Sequence, residues 1–187
     1  EFLDQYTLQH TGPQTGFPVI TLKAMDRKEL RCPFVTPGGC SVYEHRPSSC
    51  RIYPLIRLVS RNRESGQITE QYAIMQEDHC RGFEENGSQT VREWIISQGL
   101  AEYHAMNDLM MEIIALKNQY HPEPLDMKSR HIFHLALYDL DNFRQQIFEN
   151  GLLDNFGLDD KTFQLIRKDD IALLKIGFQW VRKVLFL

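Results

Sequence analysis

Residues 132–150 read IFHLALYDLDNFRQQIFEN, a stretch in which apolar side chains recur every three or four residues. This spacing brings them to one face of a helix, so the stretch predicts a long amphipathic helix with a buried stripe. The stripe consists of Ile132, Phe133, Ala136, Leu140, Phe143 and Ile147. We expect the helix to end near Asn150-Gly151, because glycine readily adopts the left-handed conformation that closes many helices.

Helical patterns also lie on both sides of this stretch. Thr90 and Glu93 fit a capping box, in which each side chain satisfies the backbone N–H of the other residue, and Gly99 offers a left-handed stop. A longer helix follows and cannot continue through residues 121–124, because their two prolines lack an N–H group. A final helix is expected after Asp169, whose carboxylate favours the positive end of the helix dipole. Residues at helical spacing mark the longer helix and the final helix: Tyr103, Met106, Met110, Ile113 and Lys117, then Ile171, Leu174, Phe178, Val181 and Leu185.

The N-terminal half carries shorter and less regular patterns. Phe17–Leu22 predicts a short strand, and Ile68–Met75, which alternates imperfectly between apolar and polar residues, predicts another. Cys32–Val35 and Cys40–Tyr43 flank the turn-forming residues Pro37-Gly38-Gly39 and predict the arms of a small hairpin.

Together these patterns predict a mainly α fold with a small irregular β and loop module, that is, an α+β class with a helical C-terminal half. We expect a single domain over residues 1–187. Residues 1–87 would form a loop-rich cysteine module, and residues 88–187 would form the helical portion.

The composition is that of a folded globular protein. With 42% hydrophobic and 25% charged residues and a net charge of −4, it excludes disordered, collagen-like and coiled-coil chains. No apolar run approaches the roughly 18 residues of a membrane-spanning helix, and no secretory leader opens the sequence. We therefore expect a cytoplasmic protein without a membrane partner. We also expect no nucleic-acid partner, because the chain is acidic and has no basic run interleaved with aromatic residues.

Four cysteines occur with the spacing C-x7-C-x9-C-x29-C: Cys32, Cys40, Cys50 and Cys80. Four thiolates close a tetrahedral shell around zinc or hold an iron-sulfur cluster, because polarisable sulfur binds these metals strongly. The tight C-x2-C pairs typical of zinc ribbons are missing, so two alternatives stay open. In one, the cysteines are small buried hydrophobic residues; in the other, they pair as disulfides.

Charged and imidazole side chains surround the cysteines in the sequence. Five arginines and no acidic residue occur between positions 46 and 63: Arg46, Arg51, Arg57, Arg61 and Arg63. Four thiolates around a divalent cation leave a net charge of −2, so these arginines would stabilise the site; the alternative is a solvated basic face. His45 and His79 are competing ligands, whereas a structural role is favoured for His131 and His134, because no Glu-x-x-His motif accompanies them.

Two segments around the first three cysteines resemble the sequence of a known family. Residues 32–35 read CPFV, and residues 39–54 read GCSVYEHRPSSCRIYP. They resemble the signature of the YkgJ-type cysteine-cluster proteins, a zinc- or iron-chelating domain family, which has the form C-x-F, then C-x-I/V-Y-x-x-R-P-x-x-C-R-x-Y/F-P. The resemblance continues through Asp78–Gly82, Val91–Trp94 and Leu135–Arg144.

One feature of that family is missing. Its members carry a C-x2-C-x2-C-C cluster a few dozen residues before the signature, and the 187 residues contain no equivalent. We therefore expect that an N-terminal segment lies outside this chain. The four cysteines would then form either a complete site or part of a shared one, and the metal could be absent from the chain as it stands.

The signature also implies roles for residues beside the cysteines. Pro47 fixes its own backbone and favours an extended Arg46. We expect Arg46 and Arg51 to donate hydrogen bonds to sulfur or to loop carbonyls around the metal. Tyr43 and Tyr53 are expected to pack beside them with their hydroxyls hydrogen-bonded.

The leading hypothesis is a metal-binding protein that chelates zinc or iron, or holds a 4Fe-4S cluster, through cysteine thiolates. Its expected partners are the metal ion and an unidentified protein. One alternative is a cluster-dependent protein-modifying enzyme, because a flagellin lysine methylase is similar in bearing the same kind of cysteine cluster. Another is an interaction module in which the metal only stabilises the fold. No catalytic residue is predicted, and whether the chain is an enzyme stays open.

Overall fold

The computed structural model describes residues 1–13, 15–26, 28, 30–62, 64–78 and 80–187. Helices make up about 49% of these residues and strands 15%, which confirms the predicted α+β class with a helical C-terminal half. The chain forms two compact units. The first unit comprises Glu1–Pro37 and Glu112–Leu187, and the second comprises Gly38–Met111.

The regular elements are numbered in chain order. The strands are β1 (Thr7–Thr11), β2 (Pro18–Leu22), β3 (Val35–Thr36), β4 (Gly39–Cys40), β5 (Leu55–Arg61) and β6 (Ile68–Ile74). The helices are α1 (Phe2–Tyr6), α2 (Ser48–Ile52), α3 (Val91–Ser97), α4 (Ala101–Tyr120), α5 (Met127–Leu137), α6 (Leu140–Asn150), α7 (Asp160–Leu165) and α8 (Asp170–Phe186). Short 3₁₀ turns lie at Tyr43–His45 and Arg81–Glu84. Among the described residues, no helix combines the length and the apolar character needed to cross a bilayer.

The first unit combines a β-hairpin with a helical core. Strands β1 and β2 pair antiparallel, with Thr7 opposite Leu22 at one end of the ladder. The core lies among α5, α6 and α8, where Phe143 and Trp180 meet with their ring centroids 5.5 Å apart. The other buried apolar side chains of these helices are Phe133, Ala136, Leu137, Ile147, Leu173, Ile176, Phe178, Val181 and Phe186. Burial of each large apolar side chain contributes about 2 kcal/mol, so the helical packing stabilises this unit.

Helices α5 and α8 approach each other closely at Gly177. A Cβ atom built on Gly177 would overlap the main-chain carbonyl of Ala136 on α5. A glycine inside a helix costs about 1 kcal/mol relative to alanine. The close backbone contact explains why glycine nevertheless occupies the middle of α8.

The prediction of one helix over residues 132–150 is wrong, because the helices α5 and α6 occupy this stretch. The backbone N–H groups of Tyr138 and Asp139 both donate to the His134 carbonyl at 3.0 Å, which closes α5. The Asp139 carboxylate then accepts from the Asn142 N–H at 3.4 Å, and α6 begins. The capping preference of aspartate therefore overrides a periodicity that would have continued the helix.

The second unit contains the β5–β6 hairpin, α2, α3 and the first half of α4. Strands β5 and β6 pair antiparallel, with Leu55 opposite Ile74. The predicted capping box begins α3: the Thr90 hydroxyl accepts from the Glu93 N–H at 3.2 Å, and the Glu93 carboxylate accepts from the Thr90 N–H at 2.7 Å. Gly99 follows α3 with a φ of 62°, which confirms the predicted left-handed stop.

Two of the predicted strands are confirmed, and the predicted hairpin is shorter than expected. The strand predicted over Phe17–Leu22 is confirmed as β2, and that over Ile68–Met75 as β6. The hairpin predicted around Pro37 is reduced to the two-residue strands β3 and β4. The backbone turns before β3, where the Val35 N–H donates to the Cys32 carbonyl at 3.3 Å, so the segment around Pro33 is not extended.

Candidate metal site

The four cysteines are free thiols, and each is at least partly exposed. Cys32 lies in the first unit, in the turn before β3. Cys40 at the end of β4, Cys50 in α2 and Cys80 before the second 3₁₀ turn belong to the second unit. Cys40 and Cys50 are exposed, and the other two are half-buried. The alternative of buried hydrophobic cysteines is therefore wrong, and no disulfide joins them.

Cys50 is presented by α2, a helix of five residues that begins after a proline. Pro47 has an extended backbone conformation, and its carbonyl accepts from the N–H groups of Cys50 and Arg51 at 3.0 and 3.1 Å. Proline has no N–H to lose at a helix start, so it suits this position. The preceding Arg46 is extended, with φ −63° and ψ 145°, which confirms the conformation predicted from Pro47.

The Arg51 side chain binds main-chain carbonyls that precede Pro47. Its Nε donates to the Arg46 carbonyl at 3.0 Å, and its Nη2 donates to the Glu44 carbonyl. Its Nη1 reaches the Gln98 carbonyl at 3.1 Å, and the guanidinium lies 5.2 Å from the centroid of the Tyr103 ring. The five donors of a guanidinium form a rigid fork, so one side chain fixes three carbonyls at once.

The Arg46 side chain forms a second link to the same place. Its Nη2 donates to the side-chain oxygen of Gln98, and its Nη1 donates to the Tyr43 carbonyl at 3.1 Å. The guanidinium also stacks 3.7 Å from the centroid of the Tyr43 ring. Carbonyl groups are thus the main acceptors of both arginines, which is one of the two alternatives drawn from the sequence.

Trp94 on α3 holds the end of α2. Its indole N–H donates to the Ile52 carbonyl at 3.1 Å. The last carbonyls of a helix lack partners within the helix, so this bond satisfies one of them. The cysteine-bearing segment is therefore bound by Trp94 at the Ile52 carbonyl and by Gln98 at the side chains of Arg46 and Arg51.

The buried hydroxyl of Tyr53 lies near a thiol and a carboxylate. Hydrogen bonding to Cys80 raises the pKa of Tyr53, and burial of the hydroxyl and hydrogen bonding to Glu77 act in the same direction. Tyr53 follows α2 directly, so this contact links the Cys50 helix to the loop that carries Cys80.

The described residues contain no cluster of three or more cysteine, histidine or carboxylate side chains poised around a common point. The exposed His45 lies in the 3₁₀ turn after β4. His79, the other competing ligand, and Arg63 lie outside the described residues. On α5, burial lowers the pKa of His134, whose ring packs 5.9 Å from that of Tyr138. The cysteine thiols are thus accessible to a metal ion, but in the described residues they are not gathered into a binding site.

A cavity of about 560 Å³ lies beside α2 within the second unit. Apolar side chains from α2, β5 and α4, and from the residues just after β6 and just before α4, form most of its wall: Ile52, Leu55, Ile56, Val59, Met75, Leu100, Met110 and Met111. Polar groups in the wall are Ser48, Ser49, Tyr53, Arg57, His104 and Asn107. Its size lies in the range of small-molecule sites.

The charged group of the cavity wall is already paired. Arg57 donates to both carboxylate oxygens of Asp108 at 2.8 and 3.2 Å and to Glu70 at 2.8 Å. These bonds, with Asp108 foremost, raise the pKa of Arg57. Burial, followed by the charge of Arg57, lowers the pKa of His104. The charge of Arg57 is therefore engaged by two carboxylates rather than open to an anionic ligand.

The comparison of the sequence with family models bears on the segment that holds the cysteines. Residues 6–81 match the model of the CxxCxxCC family. That family is described as a putative zinc- or iron-chelating domain. The CxxCxxCC match covers less than half of the chain but includes all four cysteines, so it supports metal binding. Neither the curated proteins nor the solved structures gave a match.

Sequence reasoning missed two residues that organise the matched segment. Gln98 and Trp94 lie beyond residue 81, where the matched segment ends. Trp94 falls within a stretch noted for its family resemblance, but neither residue carries a sequence signal for the bond that it makes. Their partners lie 42 to 52 positions away in the chain.

Proposed function

We propose that the chain binds zinc or iron through the thiolates of Cys32, Cys40, Cys50 and Cys80. The observation that carries this proposal is the CxxCxxCC match, because it contains every cysteine of the chain. The donor set fits these metals in kind and number, since four free thiols are what tetrahedral zinc or a 4Fe-4S cluster takes. The likeness of residues 32–54 to the YkgJ-type signature supports the same function.

Binding would have to draw the thiols together, because no three ligand side chains share a site in the described segment. The metal would supply a cross-link between loops, and its binding energy would contribute to folding. We propose that Arg46, Arg51, Tyr43 and Tyr53 act around the metal by fixing the main chain near Cys50 and Cys80.

Metal and acid-labile sulfide analysis of protein purified without oxygen would test the proposal. We expect a stoichiometric metal and protection of the four thiols from alkylation. Sulfide with a brown colour would indicate an iron-sulfur cluster, and a colourless protein with zinc would indicate a mononuclear site. Unfolding on chelation would assign the metal a structural role, as in an interaction module.

Substitution of single cysteines makes the test specific. Cys50→Ser and Cys40→Ser should each abolish metal retention, because serine replaces a thiolate by a weak ligand. Ser49→Ala is the matched control, since it alters the neighbour of Cys50 without removing a sulfur. Full metal content and unchanged stability in both cysteine variants would refute chelation.

The cavity beside α2 favours a second candidate function, an enzyme that acts beside the metal. A protein-modifying enzyme similar to flagellin lysine methylase would need a methyl donor. The probe is therefore S-adenosylmethionine, tested by thermal shift on metal-loaded protein. Met110→Trp, which fills the cavity, should abolish any stabilisation, while Arg92→Met on the exposed face of α3 should leave it unchanged. Absence of stabilisation in the wild type would count against this candidate.

A further inference from the structure

The end of α3 is the point where both signature arginines converge. Gln98, the residue after α3, accepts from Arg46 through its side-chain oxygen and from Arg51 through its backbone carbonyl. Its side-chain nitrogen lies 3.4 Å from the Ser97 hydroxyl, which holds the amide in the orientation that presents oxygen to Arg46. Gln98 is therefore the acceptor shared by the residues on both sides of Pro47.

The chemistry of a helix end explains this convergence. The last carbonyls of a helix have no partners within it, and cations are favoured there. Gly99 turns the chain away with a φ of 62°, and a Cβ at that position would approach the Arg51 guanidinium to 3.9 Å. The Gln98 carbonyl is thereby left open to Arg51.

The two arginines connect Gln98 to the segment that carries Cys50. Arg51 is its direct neighbour in α2, and Arg46 immediately precedes the proline that begins the helix. The Arg51 Nε bond to the Arg46 carbonyl closes the loop between them at 3.0 Å. The position of Cys50 thus depends on bonds made by a residue 48 positions later in the chain.

We infer that Gln98 is a positioning residue for the metal site, which sets the place of the Cys50 helix through Arg46 and Arg51. The part of this inference that concerns metal affinity rests on the proposed function. The part that concerns the position of the Cys50 helix, the structural step, does not need a metal. Gln98 lies outside the segment matched by the CxxCxxCC model, so the site would be completed from beyond that segment.

The structural step is tested on metal-free protein by amide hydrogen exchange. Gln98→Met keeps the size of the side chain and removes the oxygen that accepts from Arg46. Exchange at the Cys50 and Arg51 amides should accelerate by about tenfold, the effect of losing one bond to a charged group. Gln98→Glu keeps an acceptor oxygen and should restore wild-type exchange. Arg92→Met, on the same helix, should change nothing.

The metal step is tested by zinc affinity and by the sulfur-to-cobalt absorption of the cobalt-substituted protein. Gln98→Met should weaken zinc binding by about tenfold, as loss of an outer partner does at other metal sites, and alter the cobalt spectrum. Gln98→Glu should rescue both. The double variant with Arg46→Met and Gln98→Met should bind zinc no more weakly than Arg46→Met alone, because each substitution removes the same bond between the Arg46 and Gln98 side chains.

The outcomes separate the two proposals. Zinc bound by the wild type but equally well by Gln98→Met would overturn the inference and leave the proposed function standing. Unchanged exchange at Cys50 in Gln98→Met would also overturn it. If the wild type binds no metal, the proposed function fails, and the exchange result alone decides whether Gln98 positions the helix.

Discussion

The ion pair between Arg57 on β5 and Asp108 on α4 predicts a loss of stability whose magnitude follows from the burial of the paired side chains. The Arg57 side chain is 9% exposed, and Asp108 and Glu70, its two partners, are 29% and 46% exposed. Asp108→Ala would remove two of the three carboxylate bonds from an almost buried guanidinium. Breaking a fully buried pair costs about 3–5 kcal/mol, and the partial exposure of Asp108 reduces the expected loss to about 2 kcal/mol.

The comparison with Glu70→Ala decides whether this reasoning holds. That change removes the bonds that Arg57 and the Tyr72 hydroxyl donate to a carboxylate that is nearly half exposed, so we expect a loss of about 0.5 kcal/mol. Asp108→Asn, which keeps one acceptor oxygen, should fall between the two. The ranking depends on burial and on the number of bonds, since Asp108 accepts two bonds and Glu70 accepts one from the same guanidinium.

Urea unfolding followed by the fluorescence of Trp94 would measure these losses within the second unit. The background variant Trp180→Phe removes the other tryptophan, which lies in the first unit. A double-mutant cycle with Arg57→Met would isolate the pair from other effects of truncation. A loss below about 0.5 kcal/mol for Asp108→Ala, or an equal loss for Glu70→Ala, would refute the burial argument.

Three further predictions concern the first unit. Gly177→Ala should destabilise by about 2 kcal/mol in chemical unfolding, because overlap with the Ala136 carbonyl outweighs the gain of about 1 kcal/mol in helix propensity; stability equal to the wild type would contradict this. Burial lowers the pKa of His134, so the unfolded chain binds the proton more readily, and stability should fall as the pH drops below about 6.5. His134→Gln should flatten the melting temperature between about pH 7 and pH 5, and an unchanged slope would exclude this histidine as the cause. Asp126→Ala should lower the melting temperature by removing the carboxylate that accepts from the Ser129 N–H at 2.7 Å, whereas Asp126→Asn should not; equal losses in the two variants would show that the cap bond is not responsible.

Local signals in the sequence predicted much of the helical half. The capping box at Thr90 and the aspartate cap at Asp169 mark helix starts because the residues that form the bonds lie within three positions. The Asp139 cap uses the same chemistry, but the apolar periodicity across it predicted a continuous helix. Where two local rules conflict, only the packed structure shows which one prevails.

The candidate site was less accessible to sequence reasoning. The arginines were expected to contact sulfur or loop carbonyls, and the carbonyls that they bond belong to their own loop and to Gln98. The bonds to Gln98 join residues 47 and 52 positions apart. Spacing and composition carry no information on such pairs, since any exposed helix end offers the same acceptors. The prediction that the four thiols share one metal remains a prediction.

The bonds from α3 to the cysteine loop also bear on how this protein should be dissected. A fragment that ends at residue 81 would keep every cysteine and the two segments, residues 32–35 and 39–54, that resemble the family signature. It would nevertheless lose Trp94, which donates to the Ile52 carbonyl, and Gln98, which accepts from Arg46 and Arg51. Metal titrations on so short a fragment would then measure a frayed peptide rather than the native chelator, and a negative result would say little about the intact molecule.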